Sequence, residues 1–355
     1  MNNNELNINK KRTSKAVCFG AGLLALDVIM NGDPNTEPRF LAGGSCGNVM
    51  TILSFLGWKS YPIARLSNSP STRLLFDDLK AQDVMLDLIS QSDDGSTPVI
   101  IHRILKDSEN NPKHRYEFRI PKTNIWFPSY KPVLSNKVNE IISFSVIPKV
   151  FYMDRVSRST IDLATYYKEK GSLIFFEPSS VSDEKQFKEC LHVADILKFS
   201  NDRLPGFKNL FPARQVPIEI ETLGSNGLLY RSYRNKNDDW HFLSAIHINN
   251  AMDNAGAGDW CSAGIIHALH ENFNRPNIRN ITTAKLQQAI IFGQFLSALN
   301  CKFYGARGLM YNLRYEEIKR LFLLYHKNKK IEISKPEHGF AVMRSPYDFS
   351  SLLKK

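Results

Sequence analysis

The chain has 355 residues, of which 43% are hydrophobic and 23% are charged, and its formal net charge is +11. This composition is typical of a globular protein with a large core, and it excludes a chain that is disordered throughout. No apolar run reaches the roughly 18 residues that a membrane span needs, and no signal-peptide pattern follows the basic residues near the N-terminus. We therefore expect a cytoplasmic protein with no membrane partner.

The positive charge and the cysteines limit the classes of partner. The basic residues are spread along the chain, with one short cluster at 327–330, and no nucleic-acid recognition motif accompanies them. We therefore expect a small anionic partner such as a nucleotide, and no nucleic acid. The five cysteines are widely spaced and form no C-x-x-C pair, which indicates reduced thiols and no zinc site.

Short apolar strands alternate with amphipathic helices from residue 16 to about residue 330. Predicted strands cover 16–20, 61–64, 150–154, 172–177, 196–199, 218–223, 227–233 and 242–248. Predicted helices cover 47–56, 71–80, 159–170, 257–270, 283–299 and 315–324. This alternation predicts an α/β fold with a doubly wound, mainly parallel sheet sandwiched by helices. An Asn-rich segment, 1–15, is predicted to be a disordered tail, and the role of the C-terminal extension 331–355 is unknown.

Two stretches interrupt the alternation, at about 28–42 and 97–121. In the second stretch, apolar and polar residues alternate on both sides of a polar turn, which is the pattern of an antiparallel hairpin. We interpret both stretches as a small β-sheet lid that projects from the main domain, 16–330. An exposed lid edge would favour pairing between two copies, so a homodimer through the lid is a further expectation.

The strongest functional signal is the sequence DNAGAGD at 253–259, between a predicted strand and a predicted helix. A glycine-rich turn into a helix leaves backbone N–H groups unpaired, and the helix dipole adds about half a positive charge there. Such a turn can hold a phosphoryl group, and Asp259 can accept a proton from an attacking hydroxyl. A plain helix start is the alternative, although GAGD is rare enough by chance to favour a site.

This run resembles the D-T-x-G-A-G-D signature of the ribokinase-like (PfkB) carbohydrate kinases, with Asn254 where the family usually has threonine. The resemblance extends over about 16–325 and implies ATP-dependent phosphorylation of a hydroxyl on a small sugar or sugar-like substrate. It implies that Asp259 is the catalytic base. It also implies that the amides of an anion hole come from Ala255, Gly256, Ala257 and Gly258. ATP and Mg²⁺ are the implied cofactors, and a requirement for K⁺ stays open.

A second motif, GGSCGN at 43–48, resembles the sugar-binding G-G-x-x-x-N element of the family. The resemblance places Gly43, Gly44 and Asn48 against the sugar, and a glycine-rich hinge is the alternative. Asp27 matches a family aspartate that binds substrate hydroxyls, and a carboxylate that ends an apolar run needs a hydrogen-bonding partner such as a hydroxyl. A capping or turn role is the alternative for Asp27. Asp154, at the end of the predicted strand 150–154, is a further candidate for a substrate contact.

A third motif, TLGSNG at 222–227, resembles the T-x-G-x-x-G nucleotide loop of the family, in which glycines bring the backbone close to the nucleotide. The resemblance assigns Thr222, Gly224 and Gly227 to the nucleotide site, together with Ala255. A simple hairpin turn is the alternative. Gln294 lies in a stretch that resembles the helix lining the adenine site, with an ordinary place on the helix surface as the alternative.

One element departs from the family pattern. The family's N-x-x-E element, which orders the magnesium and its waters, reads Asn201-Asp202-Arg203-Leu204 here, so the glutamate is absent. Asn201 remains a candidate for the nucleotide site. Either Asp202 replaces the glutamate or the chain handles the metal differently, and the metal ligands are unknown. The G-x-D-x-x-G stretch of the family is also missing at 65–70.

Two alternative functions follow from the same residues. The lost glutamate leaves room for a catalytically impaired, sugar-binding regulatory protein that keeps the fold. A nucleoside kinase of the same fold is the other alternative, in which an aromatic side chain of the lid stacks on a base. The lid offers four such side chains: Tyr116, Phe118, Trp126 and Phe127.

Overall fold

The computed structural model describes residues 15–30, 38–106, 112–121, 123–234, 239–249, 251–271, 278, 281–328, 331 and 352. The strands, numbered in chain order, are β1 Val17–Ala21, β2 Ala25–Met30, β3 Arg39–Gly43, β4 Lys59–Leu66, β5 Ile89–Gln91, β6 Val99–Lys106, β7 Pro112–Glu117, β8 Val150–Met153, β9 Leu173–Phe176, β10 Ile196–Ser200, β11 Ile218–Thr222, β12 Gly227–Ser232 and β13 His241–Ser244. The helices are α1 Ser45–Phe55, α2 Pro70–Ala81, α3 Val138–Ile142, α4 Arg158–Glu169, α5 Glu184–Val193, α6 Phe207–Leu210, α7 Ala257–Glu271, α8 Thr283–Asn300, α9 Gly308–Asn312 and α10 Tyr315–Asn328.

The main sheet has the strand order β13-β12-β11-β10-β9-β8-β1-β4-β5 in the described part of the chain. Neighbouring strands are parallel from β11 to β5, whereas β12 and β13 are antiparallel additions at one edge. Parallel strands bring their carboxyl ends to the same edge of a sheet, where the loops that follow them meet. The predicted doubly wound, mainly parallel sheet is therefore confirmed.

The central strands place alternate side chains in two hydrophobic layers. Cys18 and Tyr152 face the layer that contains α1, α7 and α8, whereas Phe19 and Phe151 face the layer that contains α4 and α5. Successive side chains of a strand point to opposite faces, so a strand with helices on both sides must be apolar throughout. This constraint explains why the sequence of β9, LIFF, is one uninterrupted apolar run.

A second, smaller sheet has the order β3-β2-β6-β7. Strand β2 pairs antiparallel with β3 and parallel with β6, and β6 pairs antiparallel with β7. The predicted small β-sheet of the lid is therefore confirmed, and the pairing of β2 with β6 joins its two segments. Buried side chains of the small sheet, including Val28, Phe40 and Ile101, pack in the layer of α1 and so fix it to the main sheet.

Several local predictions need correction. The first helix begins at Ser45 rather than at 47, with Gly44 as its N-cap, and the strand predicted at 242–248 ends at Ser244. Strand β2 already begins at Ala25, so Asp27 lies within the small sheet. Helix α5 was not predicted because charged residues interrupt its short apolar face, of which Phe187 is fully buried.

The chain ends lie almost entirely outside the described residues. This applies to the predicted tail 1–15, except Lys15, and to the extension 331–355, except Ile331 and Leu352. The stretches 31–37 and 107–111 of the predicted lid segments also lie outside them. Leu352 is fully buried in the layer of α1 and α7. Among the described helices, none is both long and apolar enough to span a membrane.

Helices α7 and α8 approach each other closely at two glycines. A Cβ added at Gly293 would lie 2.6 Å from the carbonyl oxygen of Cys261, and one at Gly264 would lie 2.8 Å from the Cα of Gly293. We expect Gly293→Ala to lower the free energy of unfolding by about 1–3 kcal/mol, because the two helices must move apart. Urea denaturation measures this change.

The control for this experiment is Gly47→Ala in α1. Its added Cβ would meet no atom nearer than 3.8 Å, so we expect no loss of stability there. Equal unfolding free energies for wild type and Gly293→Ala would contradict the close helix packing.

Candidate active site

One hydrogen bond joins the two glycine-rich motifs across the core. Asn48 Nδ2 donates to Asp259 Oδ2 over 2.8 Å. Asn48 is buried in the first turn of α1, and Asp259 is partly buried in the first turn of α7. The Oδ1 atom of Asn48 is buried and has no partner among the described residues. This bond orients the carboxylate and leaves its other oxygen for a ligand.

The turn before α7 presents backbone donors at the same place. Gly256 has φ 70°, and a Cβ there would lie 2.1 Å from the carbonyl oxygen of Ala306, so only glycine fits. Within the described residues, the N–H groups of Gly256 and Gly258 donate to no acceptor, and that of Ala257 makes a long 3.3 Å contact with the carbonyl oxygen of Asn254. Together with the helix dipole, these donors suit an anion.

Asp253 braces this turn from behind. Its Oδ1 accepts the N–H of Ala255 over 2.7 Å, and its Oδ2 accepts the N–H of Gly305 over 2.7 Å. The carbonyl oxygen of Ala255 accepts a hydrogen bond of 2.9 Å from Nδ2 of the buried Asn300. The protein uses the Ala255 N–H to hold the turn, so this group donates to Asp253 in the structure, and a role of Ala255 in binding the anion or the nucleotide stays a prediction.

The environment of Asp259 changes its acidity. The surrounding protein excludes water and raises the pKa of Asp259 to about 7, and the Glu177 carboxylate adds to this rise. The hydrogen bond from Asn48 and the charges of Arg203 and Lys198 oppose it. A carboxylate with a pKa near neutrality can take a proton from a hydroxyl and release it again, which is what a general base requires.

A buried ion pair lies behind the turn. Lys198 of β10 is 2% exposed, and its ammonium donates to the Glu177 carboxylate and to the carbonyl oxygen of Gly258, the latter over 3.2 Å. Glu177 also accepts hydrogen bonds from the Tyr152 hydroxyl over 3.0 Å and the Ser262 hydroxyl over 2.5 Å. These contacts fix the start of α7 against the carboxyl ends of β9 and β10.

Asp27 lies partly buried on β2 of the small sheet. We call the space between this sheet and the start of α7 the cleft. A Cβ at Gly43 of β3 would lie 2.0 Å from Asp27 Oδ2, so glycine is required for the carboxylate to occupy this place. No described residue donates a hydrogen bond to the Asp27 carboxylate. Burial raises its pKa to about 7, the charge of Arg307 opposes the rise, and that of Asp78 adds to it. The carboxylate therefore has unused acceptors that ligand hydroxyls can meet.

A second buried ion pair braces the corner next to Asp27. Arg307 is 2% exposed, and its Nη2 donates to Asp78 Oδ2 over 2.5 Å. The same oxygen accepts the N–H of Ala42 in β3 over 2.8 Å. The Nη1 atom of Arg307 is buried without a hydrogen-bond partner in the described ranges. Ala42 pairs with Leu26, the residue before Asp27, so the hydrogen bond from Ala42 to Asp78 fixes β2 and β3 next to Asp27.

Asp154 clamps two loops together and does not open into the cleft. It is 1% exposed, and its carboxylate accepts the N–H of Leu23 over 2.9 Å and that of Cys46 over 3.1 Å. It also pairs with Arg155 at 3.2 Å, and a Cβ at Gly22 would lie 1.6 Å from its Oδ1. Both oxygens serve the protein itself, so the geometry does not support the predicted substrate contact.

Gly44 belongs to the same pair of loops. Its φ is 77°, and an added Cβ would lie 2.5 Å from the carbonyl oxygen of Leu23. Glycine is therefore required here for the tight turn that starts α1. A direct contact between Gly44 and a sugar stays a prediction.

Most of the predicted nucleotide residues lie at the carboxyl ends of β10 and β11. The N–H of Asn201 donates to the carbonyl oxygen of Thr222 over 3.0 Å, which joins the two strand ends. Gly224 has φ 57°, and an added Cβ would meet no atom within 4 Å. Gly227 allows β12 and β13 to pair closely, since a Cβ there would lie 2.1 Å from a carbonyl oxygen of β13. Gln294 lies half-buried on α8, and its nucleotide contact stays a prediction.

The residues at 201–204 do not fit a metal held by the protein. Leu204, where the family has its glutamate, is 6% exposed and packs in the layer of α4 and α5. Asn201 and Asp202 are exposed. In the described ranges, no three His, Cys, Asp or Glu residues group closely enough to hold an ion. We therefore assign no ligands and no reaction step to the implied Mg²⁺.

The lid contributes one aromatic side chain to the cleft. The half-exposed ring of Tyr116 stacks on His102, with centroids 4.7 Å apart and planes 21° apart. The protein around its hydroxyl raises the pKa of Tyr116 to about 12, and the charges of Asp253, Asp27 and Asp259 add to this rise. The Tyr116 hydroxyl therefore lies near the carboxylates of both walls of the cleft.

The ion-paired residues were missed by the sequence reasoning. Lys198 stands inside the apolar strand β10, and Glu177 directly follows the apolar strand β9. A charge in or next to a buried strand must be paired, so the positions of Lys198 and Glu177 in the sequence could have indicated this ion pair. Asp78 and Arg307 gave no comparable signal, because Asp78 lies on an amphipathic helix and Arg307 between Ala306 and Gly308 outside any predicted strand.

The chain is similar to a known protein family and to several solved structures. The family model described as pfkB family carbohydrate kinase matches residues 14–311, whereas no curated protein sequence matches the chain. A sugar kinase from Pyrococcus horikoshii in complex with ATP has a TM-score of 0.61 at 20% identity, covering 85% of this chain and 99% of its own. A fructokinase from Vibrio cholerae O395 with fructose, ADP and calcium ion bound has a TM-score of 0.64 at 17% identity, covering 86% and 98%.

A nucleoside kinase from Burkholderia thailandensis in complex with inosine has a TM-score of 0.62 at 14% identity, covering 89% of this chain and 99% of its own. At these identities the three likenesses show a shared fold. The family match extends over most of the chain and includes both motifs that meet at Asp259. The chain belongs to the pfkB family of carbohydrate kinases.

Proposed function

We propose that this chain transfers the terminal phosphoryl group of ATP to a hydroxyl of a small sugar or sugar-like molecule. One observation carries the proposal: Asp259, whose pKa is raised to about 7, accepts a hydrogen bond from Asn48 of the other motif. The unpaired N–H groups of Gly256 and Gly258 begin the same helix, so a base and an anion site share one turn. Acceptor activation and charge stabilisation are the two tasks of a phosphoryl-transfer site.

The proposed reaction uses the chain's own groups in sequence. Asp27 and Asn48 orient the sugar, and its reacting hydroxyl gives its proton to the oxygen of Asp259 that does not contact Asn48. The hydroxyl oxygen then bonds to the terminal phosphorus as the bond to the bridging oxygen of ATP breaks, and ADP leaves. The N–H groups of Gly256 and Gly258 hold the negative charge on the transferred group.

Solved structures of the same fold give support for the ligands. Three such structures hold ATP in one case, fructose with ADP and calcium ion in another, and inosine in the third. An ATP site beside a sugar or nucleoside site agrees with the arrangement around Asp259. Requirements for Mg²⁺ and K⁺, and a homodimer through the lid, stay predictions.

A nucleoside is the second candidate acceptor, and Tyr116 favours it. Its half-exposed ring, stacked on His102, offers a flat apolar face on the lid side of the cleft, on which a base could stack. Of the other three predicted aromatic side chains, Phe127 is buried and offers no such face. Phe118 and Trp126 are at least half-exposed, and a guanidinium lies 4.1 Å from the centre of the Trp126 ring.

The direct test is an ADP-release assay over a panel of sugars and nucleosides, with Mg²⁺ present. We expect at least one acceptor to be phosphorylated by wild type. Asp259→Asn should lower kcat by about 10²–10⁴ because the base is lost. The variant should still be stabilised by the acceptor in a thermal-shift measurement, since an amide can keep the contact with Asn48.

Asp162→Asn, in α4 on the opposite layer, is the matched control and should keep full activity. Unchanged turnover in Asp259→Asn would refute the base assignment. Stabilisation by a sugar without ADP release in wild type would instead favour the regulatory protein.

The raised pKa of Asp259 also predicts a pH dependence. A base works only when it is ionised, so kcat/KM should be low at acidic pH, rise as the pH passes about 7 and then level off. Asp27, whose pKa is also raised to about 7, titrates in the same range and should steepen the acidic limb. Initial rates from about pH 5 to about pH 9 measure the profile, with thermal unfolding at each pH as the control. A flat profile down to pH 5 would contradict the raised pKa.

A further inference from the structure

The turn that follows β10 lies beside Asp259. Lys198 of β10 donates to the carbonyl oxygen of Gly258 over 3.2 Å, so the carboxyl end of β10 meets the first turn of α7. The N–H groups of Arg203 and Leu204 both donate to the carbonyl oxygen of Ser200, over 3.1 Å and 3.0 Å. The chain therefore turns back at once and stays at this edge of the sheet.

The turn sends its two large side chains in opposite directions. Leu204 is 6% exposed and packs into the core, whereas Arg203 is exposed. Burial raises the pKa values of Asp259 on α7 and Tyr116 on the lid, and the positive charge of Arg203 opposes both rises, so its guanidinium lies near both walls of the cleft. Among the described residues, no carboxylate forms a salt bridge with Arg203.

We propose that Arg203 binds the terminal phosphate of the nucleotide and supplies positive charge beside Leu204, which stands where the family pattern has a metal-ordering glutamate. This inference rests on the proposed function, in that it takes ATP as the nucleotide of the site. A guanidinium has a planar set of donors that matches phosphate oxygens, and arginine is a frequent source of charge stabilisation in phosphoryl transfer. The unpaired N–H groups of Gly256 and Gly258 lie at the same strand edge and face the same anion.

Leu204 removes the acid of the family pattern, and Arg203 beside it adds a positive charge at this edge. An acid there would attract a divalent cation and would repel phosphate unless that cation were present. Arginine attracts the phosphate directly. Binding of ATP by this chain should therefore depend little on a divalent cation, and the third phosphate should add affinity through Arg203.

The experiment compares the binding of ATP and ADP by isothermal titration calorimetry, in EDTA and in Mg²⁺. Wild type should bind ATP more tightly than ADP in EDTA. In Arg203→Gln, ATP affinity in EDTA should fall about tenfold or more, because charged hydrogen bonds are lost, while ADP affinity should change little. Arg203→Lys should recover part of the preference for ATP.

Arg73→Gln, an exposed arginine of α2, removes the same charge elsewhere and should leave both affinities unchanged. Circular dichroism spectra check that each variant is folded. An ATP-to-ADP preference that is the same in wild type and Arg203→Gln would overturn the inference.

The binding measurement separates this inference from the proposed reaction. Loss of ATP affinity in Arg203→Gln, with no acceptor phosphorylated by wild type, would support Arg203 and count against the kinase. Turnover by wild type with unchanged ATP affinity in Arg203→Gln would support the kinase and count against Arg203.

Discussion

The buried ion pair between Lys198 and Glu177 fixes the position of the whole candidate site. A charged group in the core is stable only when it is paired and hydrogen-bonded, and here the pair also binds the Ser262 hydroxyl and the carbonyl oxygen of Gly258. The first turn of α7 is thereby held against the carboxyl edge of the parallel sheet. This contact sets the position of Asp259, whose pKa is raised to about 7 by burial and, to a smaller extent, by the Glu177 carboxylate.

The cleft collects groups that the protein leaves unsatisfied. Asp27 has no hydrogen-bond donor in the described part of the chain, Asn48 has a buried oxygen without a partner, and Gly256 has an unpaired N–H. Other buried carboxylates are paired, as in the clamp formed by Asp154. Unsatisfied groups cost stability, so their meeting near Asp259 indicates a place shaped for a ligand.

The charge distribution of this cleft differs from the family pattern. Two carboxylates, Asp27 and Asp259, have pKa values raised to about 7, and Arg203 stands near the position where the family has a further acid. Leu204 replaces the carboxylate of the family pattern, and the neighbouring Arg203 is the side chain that we propose binds a phosphate. On that proposal, protein charge takes over part of the role of the metal in stabilising the transferred anion.

The sequence by itself determined the alternation of strands and helices and the two glycine-rich motifs that contain Asp259 and Asn48. Those features are local, because side-chain period and glycine-rich turns are set by neighbouring residues. Only the tertiary structure showed that Asp154 joins two loops and that the Ala255 N–H donates to Asp253. It also showed which buried charges form pairs. These depend on contacts between segments far apart in the chain, and a lone charged residue in a sequence does not name its partner.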